Sequence, residues 1–315
     1  MSKILVCGAG GFIGGHLVED LVNNGHDVIG VDIKFPQFRT SAAQHFIKGD
    51  LRDPDFVSSI ITADIDEVYQ LAADMGGAGY LFSGENDANV MHNSALINLN
   101  VVDAVAKRGI SKILYTSSAC VYNTDKQNAG QSQCVESEVY PANPDHDYGF
   151  EKLFSERLYL AYARNYGLRV RIARLHNIFG PYGSWNDGRE KAPAAVCRKV
   201  AEATSVIDVW GDGTQRRSFL FVPECVEGLQ RIMAGNYDQP LNLGSEEMIS
   251  INQLVEIVTT YAGKKLTINH IPGPLGVLGR TSHNGLIKHQ LGWQPSERLR
   301  EGLQVTYDWI KSQLT

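Results

Sequence analysis

The sequence predicts an α/β fold in which a doubly wound parallel sheet is followed by a smaller C-terminal lobe. Through about residue 175, short apolar runs alternate with longer segments whose apolar residues recur at helical spacing. A glycine-rich turn directly follows the first apolar run. Strands that alternate with helices of this length form βαβ units, and these units build a parallel sheet covered by helices on both faces.

Five apolar runs in this first part are predicted as strands, and three periodic segments are predicted as helices. The strands are Ile4–Cys7, Asp27–Val31, Glu67–Leu71, Lys112–Tyr115 and Arg169–Ala173. The helices are His16–Asn24, Ala88–Lys107 and Phe150–Tyr166. Short apolar runs bounded by turn residues are typical of buried strands, and apolar residues three and four apart are typical of amphipathic helices.

The pattern changes after about residue 177. Glycine, proline and charged residues interrupt the chain there, and two later segments, Ile251–Tyr261 and Leu299–Gln313, are predicted as helices. We expect residues 176–315 to form mainly a smaller, irregular lobe that closes over a ligand, rather than a second sheet. The two parts, 1–175 and 176–315, are expected to be partly interleaved.

The composition excludes some partners. The 315 residues carry a formal net charge of −6, so no global basic field attracts nucleic acid. No apolar run reaches the roughly 18 residues that suggest a membrane span. The N-terminal segment lacks the features of a signal peptide, so we expect a cytoplasmic protein.

Five cysteines are spread widely along the chain: Cys7, Cys120, Cys134, Cys197 and Cys225. Their odd number and the absence of a CxxC motif argue against a disulfide framework and against a zinc site. We therefore expect no metal ion.

The glycine-rich turn predicts a dinucleotide site. Gly8, Gly11 and Gly14 follow the first strand, and Phe12 and Ile13 open the first helix. Such glycines let the backbone turn tightly and approach a pyrophosphate at the helix N-terminus, as in a Rossmann-type fold.

Asp32, at the end of the second strand, favours NAD. A carboxylate there accepts hydrogen bonds from the adenosine ribose hydroxyls and repels a 2′-phosphate. Lys34 and Arg39 lie nearby in the sequence and leave NADP open. Asp50 and Leu51 follow one further presumed strand, the third in chain order, and are candidates to contact adenine, with a solvated loop as the alternative. Leu71 ends the next strand, the fourth, where small residues follow.

Ser118, Tyr148 and Lys152 form a candidate redox group. Ser118 lies at the end of the fifth strand, and Tyr148 and Lys152 are four residues apart at the start of a long helix, so they share one face. A neighbouring ammonium and a positively charged nicotinamide both favour the phenolate form of Tyr148, which makes it a usable base. Ser118 would orient the substrate hydroxyl.

Taken together, the glycine turn, the strand-end serines and the Tyr-x3-Lys pair resemble the extended short-chain dehydrogenase/reductases, the superfamily of sugar-nucleotide epimerases and dehydratases. The resemblance implies NAD-dependent oxidation of a nucleotide sugar to a transient ketone. It also implies an NAD-binding Rossmann domain over residues 1–175 and a nucleotide-sugar-binding lobe over residues 176–315. The helices predicted at Ala88–Lys107 and Phe150–Tyr166 are similar to those that pair across a two-fold axis in this superfamily, so we expect a homodimer.

The residues after Ser118 bear on the reaction. Where the 4,6-dehydratases of this superfamily carry an Asp-Glu pair, this chain has Ala119-Cys120, and the simple 4-epimerases have a threonine at the position of Cys120. Loss of water is therefore disfavoured. A thiolate at Cys120 can remove a proton beside a ketone, and Lys191 is a candidate proton donor on the opposite face, with a phosphate contact as the alternative.

Several segments resemble the GDP-mannose 3,5-epimerases more specifically. They are Leu71–Gly77, Ser117–Cys120, Arg189–Ala195, Trp210–Gly213, Ile271–Pro274 and Gly279-Arg280. The resemblance implies that Cys120 is the base and Lys191 the acid in converting GDP-D-mannose to GDP-L-galactose, with GDP-L-gulose as the C5-only product. The implied substrate contacts are Gly76, Ser117, Ser118, Cys120, Asn177, Glu190, Lys191, Ala192, Lys199, Gln215, Arg217 and Arg280.

One position departs from this pattern. Asn123 stands where the family has proline, and it begins a stretch rich in polar residues, 123–138, which is expected to be a loop able to reshape the pocket.

Two alternative functions stay open. One is an epimerase or 4-dehydrogenase of another nucleotide sugar, such as a GDP-heptose or UDP-hexose, in which Cys120 only packs. The other is a non-catalytic NAD-binding scaffold, against which the intact Ser118, Tyr148 and Lys152 argue.

Overall fold

The computed structural model describes residues 1–81, 83–128, 133–273 and 277–314. In chain order the strands are β1 (Lys3–Cys7), β2 (Asp27–Asp32), β3 (His45–Lys48), β4 (Glu67–Gln70), β5 (Lys112–Ser118), β6 (Gln133–Cys134), β7 (Arg169–Leu175), β8 (Asn177–Phe179), β9 (Val206–Trp210), β10 (Arg216–Phe221), β11 (Leu241–Leu243), β12 (Met248–Ser250), β13 (Thr267–Ile271) and β14 (Gly279–Ser282). The helices are α1 (Phe12–Asn23), α2 (Pro54–Ile60), α3 (Ala78–Leu81), α4 (Asp87–Lys107), α5 (Thr124–Asn128), α6 (Asp147–Tyr166), α7 (Ala192–Glu202), α8 (Val222–Ala234), α9 (Ile251–Tyr261), α10 (Gly285–Leu291) and α11 (Leu299–Gln313).

The main layer is a seven-stranded parallel sheet in the order β11-β7-β5-β4-β1-β2-β3. Its strands run parallel in every pair. The doubly wound α/β prediction is confirmed, and so are the five predicted strands, each within a few residues of its expected ends. The order reverses between β1 and β4, which opens the crevice that binds ligands in such sheets.

The strands of this sheet are buried on both faces, and this explains their continuous apolar sequences. In β1, Ile4 and Val6 belong to one core cluster, while Leu5 and Cys7 belong to another on the opposite face. Helices α1 and α8 pack together, and α4 packs along α6. Side chains alternate across a strand, so a strand covered on both faces needs apolar residues at every position.

Three predicted helices begin later than the helices of the structure, by four residues for α1, one for α4 and three for α6, whereas the predicted Ile251–Tyr261 and Leu299–Gln313 match α9 and α11. Helix α6 starts at Asp147 rather than Phe150, because His146 caps it: the ring Nδ1 accepts a hydrogen bond from the Gly149 N–H at 3.3 Å. The helix ends at Gly167, which has a φ of +68°. Apolar periodicity marks the packed face of a helix, whereas the first turn is set by its cap.

The expectation that the second part lacks a sheet is wrong. A second sheet has the strand order β12-β10-β14-β6, with β8 beside β10, and a separate two-stranded ribbon joins β9 to β13. These strands have two to six residues and pair with partners distant in sequence. Because the paired strands are not consecutive in the chain, no short hairpin turn joins them, and the sequence carries no local signal for this sheet.

The chain crosses between the two sheets more than once. Strand β7 ends at Leu175 in the main sheet, and β8 begins at Asn177 in the second. Strand β6 comes from the first part but pairs with β14, and β11 comes from the second part but forms the edge of the main sheet. The assignment of 1–175 and 176–315 as separate domains remains a proposal.

The stretch 123–138 is not simply a loop. It contains α5, β6 and a single 3₁₀ turn at Glu136–Glu138, while residues 129–132 lie outside the described residues. Pro274, quoted in the sequence resemblance, also lies outside them. Among the described helices, none has both the length and the apolar character needed to cross a bilayer.

Candidate active site

The glycine turn between β1 and α1 is packed too closely for side chains. Gly8 has a φ of +85°, and a Cβ on it would lie 2.8 Å from the backbone nitrogen of Ala72. A Cβ on Gly14 would lie 2.1 Å from the carbonyl oxygen of Gly8. The first turn of α1 is therefore held directly against the end of the sheet.

Helix α1 presents the first-turn N–H groups that a pyrophosphate needs. Gly11 occupies the N-cap position and, having no side chain, makes no side-chain cap, and Phe12 and Ile13 are the first helical residues. Uncapped N–H groups and the helix dipole together bind an anion. The geometry fits the phosphates of a dinucleotide.

Asp32 closes β2 beside the glycine turn. Its Oδ2 accepts a hydrogen bond from the Gly10 N–H at 3.0 Å, and its Oδ1 accepts one from the Lys34 N–H at 3.1 Å. Burial raises the pKa of this carboxyl, although the backbone hydrogen bonds oppose the shift. Arg39 pairs with Glu19 at 2.7 Å. An acidic group at the strand end, with the nearby arginine already paired, fits NAD better than NADP.

The other three predicted cofactor contacts have different surroundings. Asp50 forms a two-point ion pair with Arg52, at 2.6 and 2.9 Å, which lowers the pKa of Asp50. Leu51 is buried. Leu71 donates its N–H to the Cys7 carbonyl at 3.0 Å, beside the glycine turn. Only Leu71 of the three therefore lies against the phosphate end of the site.

Ser118, Tyr148 and Lys152 come together at the carboxyl end of β5. The Ser118 hydroxyl accepts a hydrogen bond from the Cys120 N–H at 3.2 Å, and it also bonds Tyr148. The Lys152 Nζ lies 5.6 Å from the centre of the Tyr148 ring and donates to the Thr116 carbonyl at 3.1 Å. The structure thus places the three candidate redox residues side by side.

The pKa of Tyr148 differs from the sequence-based expectation. Burial, Cys120 and Glu151 all raise the pKa of the phenol, and the Ser118 hydrogen bond acts in the opposite direction. The Lys152 ammonium is itself buried, and burial lowers its own pKa. A positively charged ring in the cofactor site would oppose the burial effect.

Cys120 lies in a cluster of polar and charged side chains. Arg280 reaches it from β14, with its Nη1 3.3 Å from the Cys120 Sγ. The same guanidinium donates to Asp145 at 2.7 Å and to Gln127 at 2.6 Å. His146 adds a ring nitrogen that lies, like the Asp145 carboxylate, within 4.8 Å of the Sγ. A cysteine that only packs would have apolar neighbours instead.

This cluster favours the thiolate. Burial and Asp145 raise the pKa of Cys120, but Arg280 and a hydrogen bond with His146 outweigh them, so the pKa of the thiol is lowered. Burial lowers the pKa of His146, but Cys120 and Asp145 outweigh it, so the pKa of the imidazole is raised. The two shifts together favour an imidazolium–thiolate pair, the arrangement of a reactive cysteine.

Three of these groups are also spaced as metal ligands would be. One atom each of Cys120, Asp145 and His146 lies within 4.8 Å of the others. However, the Arg280 cation already bonds both the sulfur and the carboxylate. We therefore interpret the cluster as an ion-paired thiol.

Lys191 lies at the N-cap position of α7, and its carbonyl accepts the Ala195 N–H at 3.0 Å. Burial lowers the pKa of its ammonium, while Cys120 acts in the opposite direction. A lysine with a lowered pKa is a better proton donor near neutral pH. The charge of a Cys120 thiolate therefore acts on the Lys191 ammonium.

The segments Leu71–Gly77 and Arg189–Ala195, which both resemble the GDP-mannose 3,5-epimerases, are in contact. Gly77 donates its N–H to the Arg189 carbonyl at 2.9 Å, and a Cβ on Gly77 would lie 2.3 Å from the Glu190 carbonyl oxygen. The Arg189 guanidinium lies 3.9 Å from the centre of the Tyr80 ring. Segment 74–80 therefore fixes the backbone immediately before Lys191, which requires glycine at position 77.

The residues next to Lys191 and Gly77 lie on the same side of the site as these two residues. Glu190 accepts a hydrogen bond from Arg198 at 3.2 Å, and Ala192 is the first residue of α7. A Cβ on Gly76 would lie 2.8 Å from the Tyr80 side chain. The predicted substrate contacts Gly76, Glu190 and Ala192 are thus grouped around Lys191.

Arg217 and Arg280 are neighbours in the second sheet. They are directly opposite each other in the parallel pair β10–β14. Arg217 donates to the Val277 carbonyl at 2.5 Å, and burial, followed by Arg280, lowers its pKa to about 10. Asn177, on the adjacent strand β8, donates to the Ser218 carbonyl at 3.2 Å. The second sheet therefore supplies the cationic side of the site.

Lys199 and Gln215 both contact Trp210, whose side chain is half-exposed. The Lys199 Nζ donates to the Asp208 carbonyl at 2.9 Å and lies 5.8 Å from the centre of the Trp210 ring. Gln215 donates to the Trp210 carbonyl at 3.2 Å. These two predicted contacts form a group around Trp210, and neither side chain contacts Cys120 in the hydrogen bonds described.

The Ser117 hydroxyl is not part of the group around Cys120. It donates to Glu156 at 2.6 Å, and Glu156 forms a buried ion pair with Arg174 at 2.8 Å. Adjacent residues of a strand point to opposite faces, so Ser117 faces away when Ser118 faces the site.

His176 is a core histidine: burial lowers its pKa to about 3, and its Nε2 lies 3.3 Å from the Asn242 Oδ1.

Sequence analysis missed Gln127, Asp145 and His146. Gln127 lies on α5, in a stretch expected to be a loop, and it reaches Arg280 across 153 residues of chain. Asp145 and His146 directly precede the helix that carries Tyr148. The sequence signal that could have found them is the histidine at position 146. It stands where a helix cap is usually serine, threonine, aspartate or asparagine.

Comparison with known proteins places the chain in a family. The model described as the NAD dependent epimerase/dehydratase family matches residues 4–244. The chain is 45% identical to the GDP-mannose 3,5-epimerase of Arabidopsis thaliana over 99% of its own length and 83% of that protein. It is 44% identical to GDP-mannose 3,5-epimerase 1 of Oryza sativa subsp. indica, over 99% and 82% of the two chains.

A solved structure agrees with this. The UDP-glucuronic acid 4-epimerase of Bacillus cereus, in complex with UDP-glucuronic acid and NAD, superposes with a TM-score of 0.84 and is 25% identical, covering 99% of this chain and 100% of that one. The fold and the Ser-Tyr-Lys group are those of a nucleotide-sugar enzyme of the short-chain dehydrogenase type. The chain belongs to the NAD dependent epimerase/dehydratase family.

Proposed function

We propose that the protein is an NAD-dependent isomerase that converts GDP-D-mannose to GDP-L-galactose by inverting C3 and C5, with GDP-L-gulose as the product of inversion at C5 alone. The observation that carries the proposal is the Cys120 thiol, paired with Arg280 and His146 directly beside Ser118. An enzyme that only inverts C4 needs no base for a carbon-bound proton. The two plant relatives described above support the choice of sugar.

The first task of the site is to remove a proton from the C4 hydroxyl. Ser118 and Tyr148 are hydrogen-bonded to each other and form the pair that contacts this hydroxyl. Tyr148 takes the hydroxyl proton and returns it at the end of the cycle. When bound, NAD supplies the hydride acceptor and donor at C4. Gly8, Gly11, Gly14 and Asp32 would hold its pyrophosphate and ribose.

The second task is to invert a carbon next to the C4 ketone. The ketone acidifies the hydrogens on C3 and C5, and the Cys120 thiolate removes one of them to give an enolate. Lys191 then delivers a proton to the opposite face. The lowered pKa of Cys120 favours the thiolate that acts as the base, and the lowered pKa of Lys191 makes its ammonium a better proton donor near neutral pH.

The rest of the substrate is held by residues of the second sheet and by the Lys199–Trp210 group. Arg217 and the Lys199–Trp210 group carry positive charge and an aromatic face for the GDP portion. Gly76, Asn177, Glu190, Ala192, Gln215 and the backbone of Ser117 complete the proposed substrate contacts. Arg280, already bonded to three side chains, contributes its charge at the sugar end.

Incubation with GDP-D-mannose in D2O tests the function. We expect deuterium at C3 and C5, read by NMR and mass spectrometry, together with GDP-L-galactose. Deuterium at C5 alone would reassign the protein as a C5 epimerase. Conversion of a UDP-hexose without carbon-bound deuterium would reassign it as a simple 4-epimerase, and binding of NAD without conversion of any nucleotide sugar would indicate a scaffold.

We also propose a homodimer formed through α4 and α6. Leu99 on α4 and Phe150 and Phe154 on α6 are 39–50% exposed, although the two helices pack side by side. Apolar residues grouped in this way on a surface mark an interaction site. Analytical ultracentrifugation should give a dimer for the native chain and a monomer for Phe154→Asp, and a native monomer would overturn the proposal.

We further propose that the enzyme acts in the cytoplasm. All five cysteines are free, and Cys120 must stay reduced to act as a base. Free thiols persist in the reducing environment of the cytosol. Cell fractionation, with enzyme activity followed in each fraction, checks this location.

A further inference from the structure

The proposed reaction creates a proton-balance problem at Cys120. In the chair form of D-mannose, the hydrogens on C3 and C5 are both axial and lie on the same face of the ring. One base on that face must therefore remove both. Each inversion leaves one proton on the Cys120 sulfur and removes one from Lys191. The second inversion cannot start until the thiol has lost its proton and the amine has regained one.

The groups that surround the thiol differ in their ability to carry this proton. They are Cys134 on β6, Asp145 and His146 before α6, Tyr148 and Lys152 on α6, Lys191 before α7, Arg217 on β10 and Arg280 on β14. The arginines stay protonated, and burial raises the pKa of Cys134 to about 12. Asp145 is paired with Arg280, and Lys152 donates to a carbonyl. Histidine is the group whose ordinary pKa lies near neutrality.

His146 is placed to exchange protons in two directions. One of its ring nitrogens lies within 4.8 Å of the Cys120 Sγ and of an Asp145 carboxylate oxygen, and its Nδ1 lies 3.5 Å from the Asp145 Oδ1 and 3.3 Å from the Gly149 nitrogen. A neutral ring accepts the Gly149 N–H at Nδ1, whereas a protonated ring turns an N–H toward Asp145. The ring therefore has a partner in each of its charge states.

We propose that His146 regenerates the Cys120 thiolate between the two inversions. The inference rests on the proposed function, and it assigns to His146 the proton transfer that makes a double inversion possible in one binding event. When Cys120 has taken a proton from carbon, the charge that stabilised the imidazolium is gone. The ring then releases a proton to water and accepts the thiol proton, restoring the thiolate–imidazolium pair. Lys191 regains its proton from water, so one proton leaves and one enters.

His146→Asn is the variant that separates this role from helix capping. Asparagine caps helices well, so α6 keeps an N-cap, but the amide cannot carry a proton near neutral pH. We expect the ratio of singly to doubly inverted product, formed from GDP-D-mannose in D2O, to rise at least about tenfold, since proton transfer by a placed group typically contributes about 10²–10⁴-fold. We expect the ratio to fall again as the pH is raised, because hydroxide then removes the thiol proton directly.

Two further measurements complete the test. Iodoacetamide should label Cys120 selectively, because Cys7, Cys134, Cys197 and Cys225 are buried. The pH at half-maximal labelling should be higher in His146→Asn than in the native protein, because the thiolate loses its imidazolium partner. Ser250→Ala, which removes the side-chain cap of the distant helix α9, is the stability control and should leave both readouts unchanged.

The outcomes distinguish this inference from the function on which it rests. If the native protein inverts both carbons and His146→Asn gives the native product ratio at every pH, the role of His146 is overturned while the function stands. An equal loss of both inversions in the variant, with no change in ratio, also overturns it. A native protein that inverts neither carbon overturns both.

Discussion

Replacing Cys120 with serine should lower the rate of deuterium incorporation at C3 and C5 by about 10³-fold, within the range that a placed acid or base contributes. The serine hydroxyl cannot ionise near neutral pH, so Arg280 and His146 would have no anion to stabilise. NAD binding should not change, because the glycine turn and Asp32 are formed by other elements. Stopped-exchange NMR in D2O, with calorimetric titration of NAD, provides both measurements.

A matched control for this variant is Cys197→Ala. Cys197 is buried in α7, and burial raises the pKa of its thiol to about 12, so it stays neutral. We expect the control to lose some stability through the lost packing but to keep its exchange rate. If Cys120→Ser still inverts the sugar at the native rate, Cys120 is a packing residue and a simple 4-epimerase becomes the better assignment.

Replacing Lys191 with alanine should separate proton exchange from inversion. Cys120 can still remove a proton from C5 and return a deuteron to the same face, so the recovered GDP-D-mannose should become labelled. Formation of inverted sugars should fall by about 10²-fold or more, because the opposite face has lost its donor. Mass spectrometry of the recovered substrate and NMR of the products measure the two rates in one reaction.

Lys199→Ala is the control for the loss of a lysine from the same segment. Lys199 contacts Asp208 and Trp210 rather than Cys120, so its loss should raise KM and leave the ratio of exchange to inversion unchanged. Normal inversion in Lys191→Ala would reduce Lys191 to a phosphate contact. The loss of both exchange and inversion would mean that Lys191 is needed before the thiolate can act.

Local sequence determined the cofactor end of this protein. Glycines at positions 8, 11 and 14 are required by atoms within 4 Å in a turn of a few residues, and Asp32 is the last residue of the next strand. Tyr148 and Lys152 share a helix face because they are four residues apart. The strands of the main sheet were recognisable because burial on both faces makes every position apolar. These features could be predicted from the sequence because each depends only on residues that are close together in the chain.

Only the tertiary structure decided the environment of Cys120. Arg280 is 160 residues away along the chain and reaches the sulfur because β14 pairs with β10 and β6 in a sheet that no local pattern predicted. Gln127 and Asp145 meet the same guanidinium from two other elements. Whether a cysteine is a base or a packing residue is set by the charges around it. Those charges come from distant parts of the chain, so folding had to bring them together before the thiol acquired its lowered pKa.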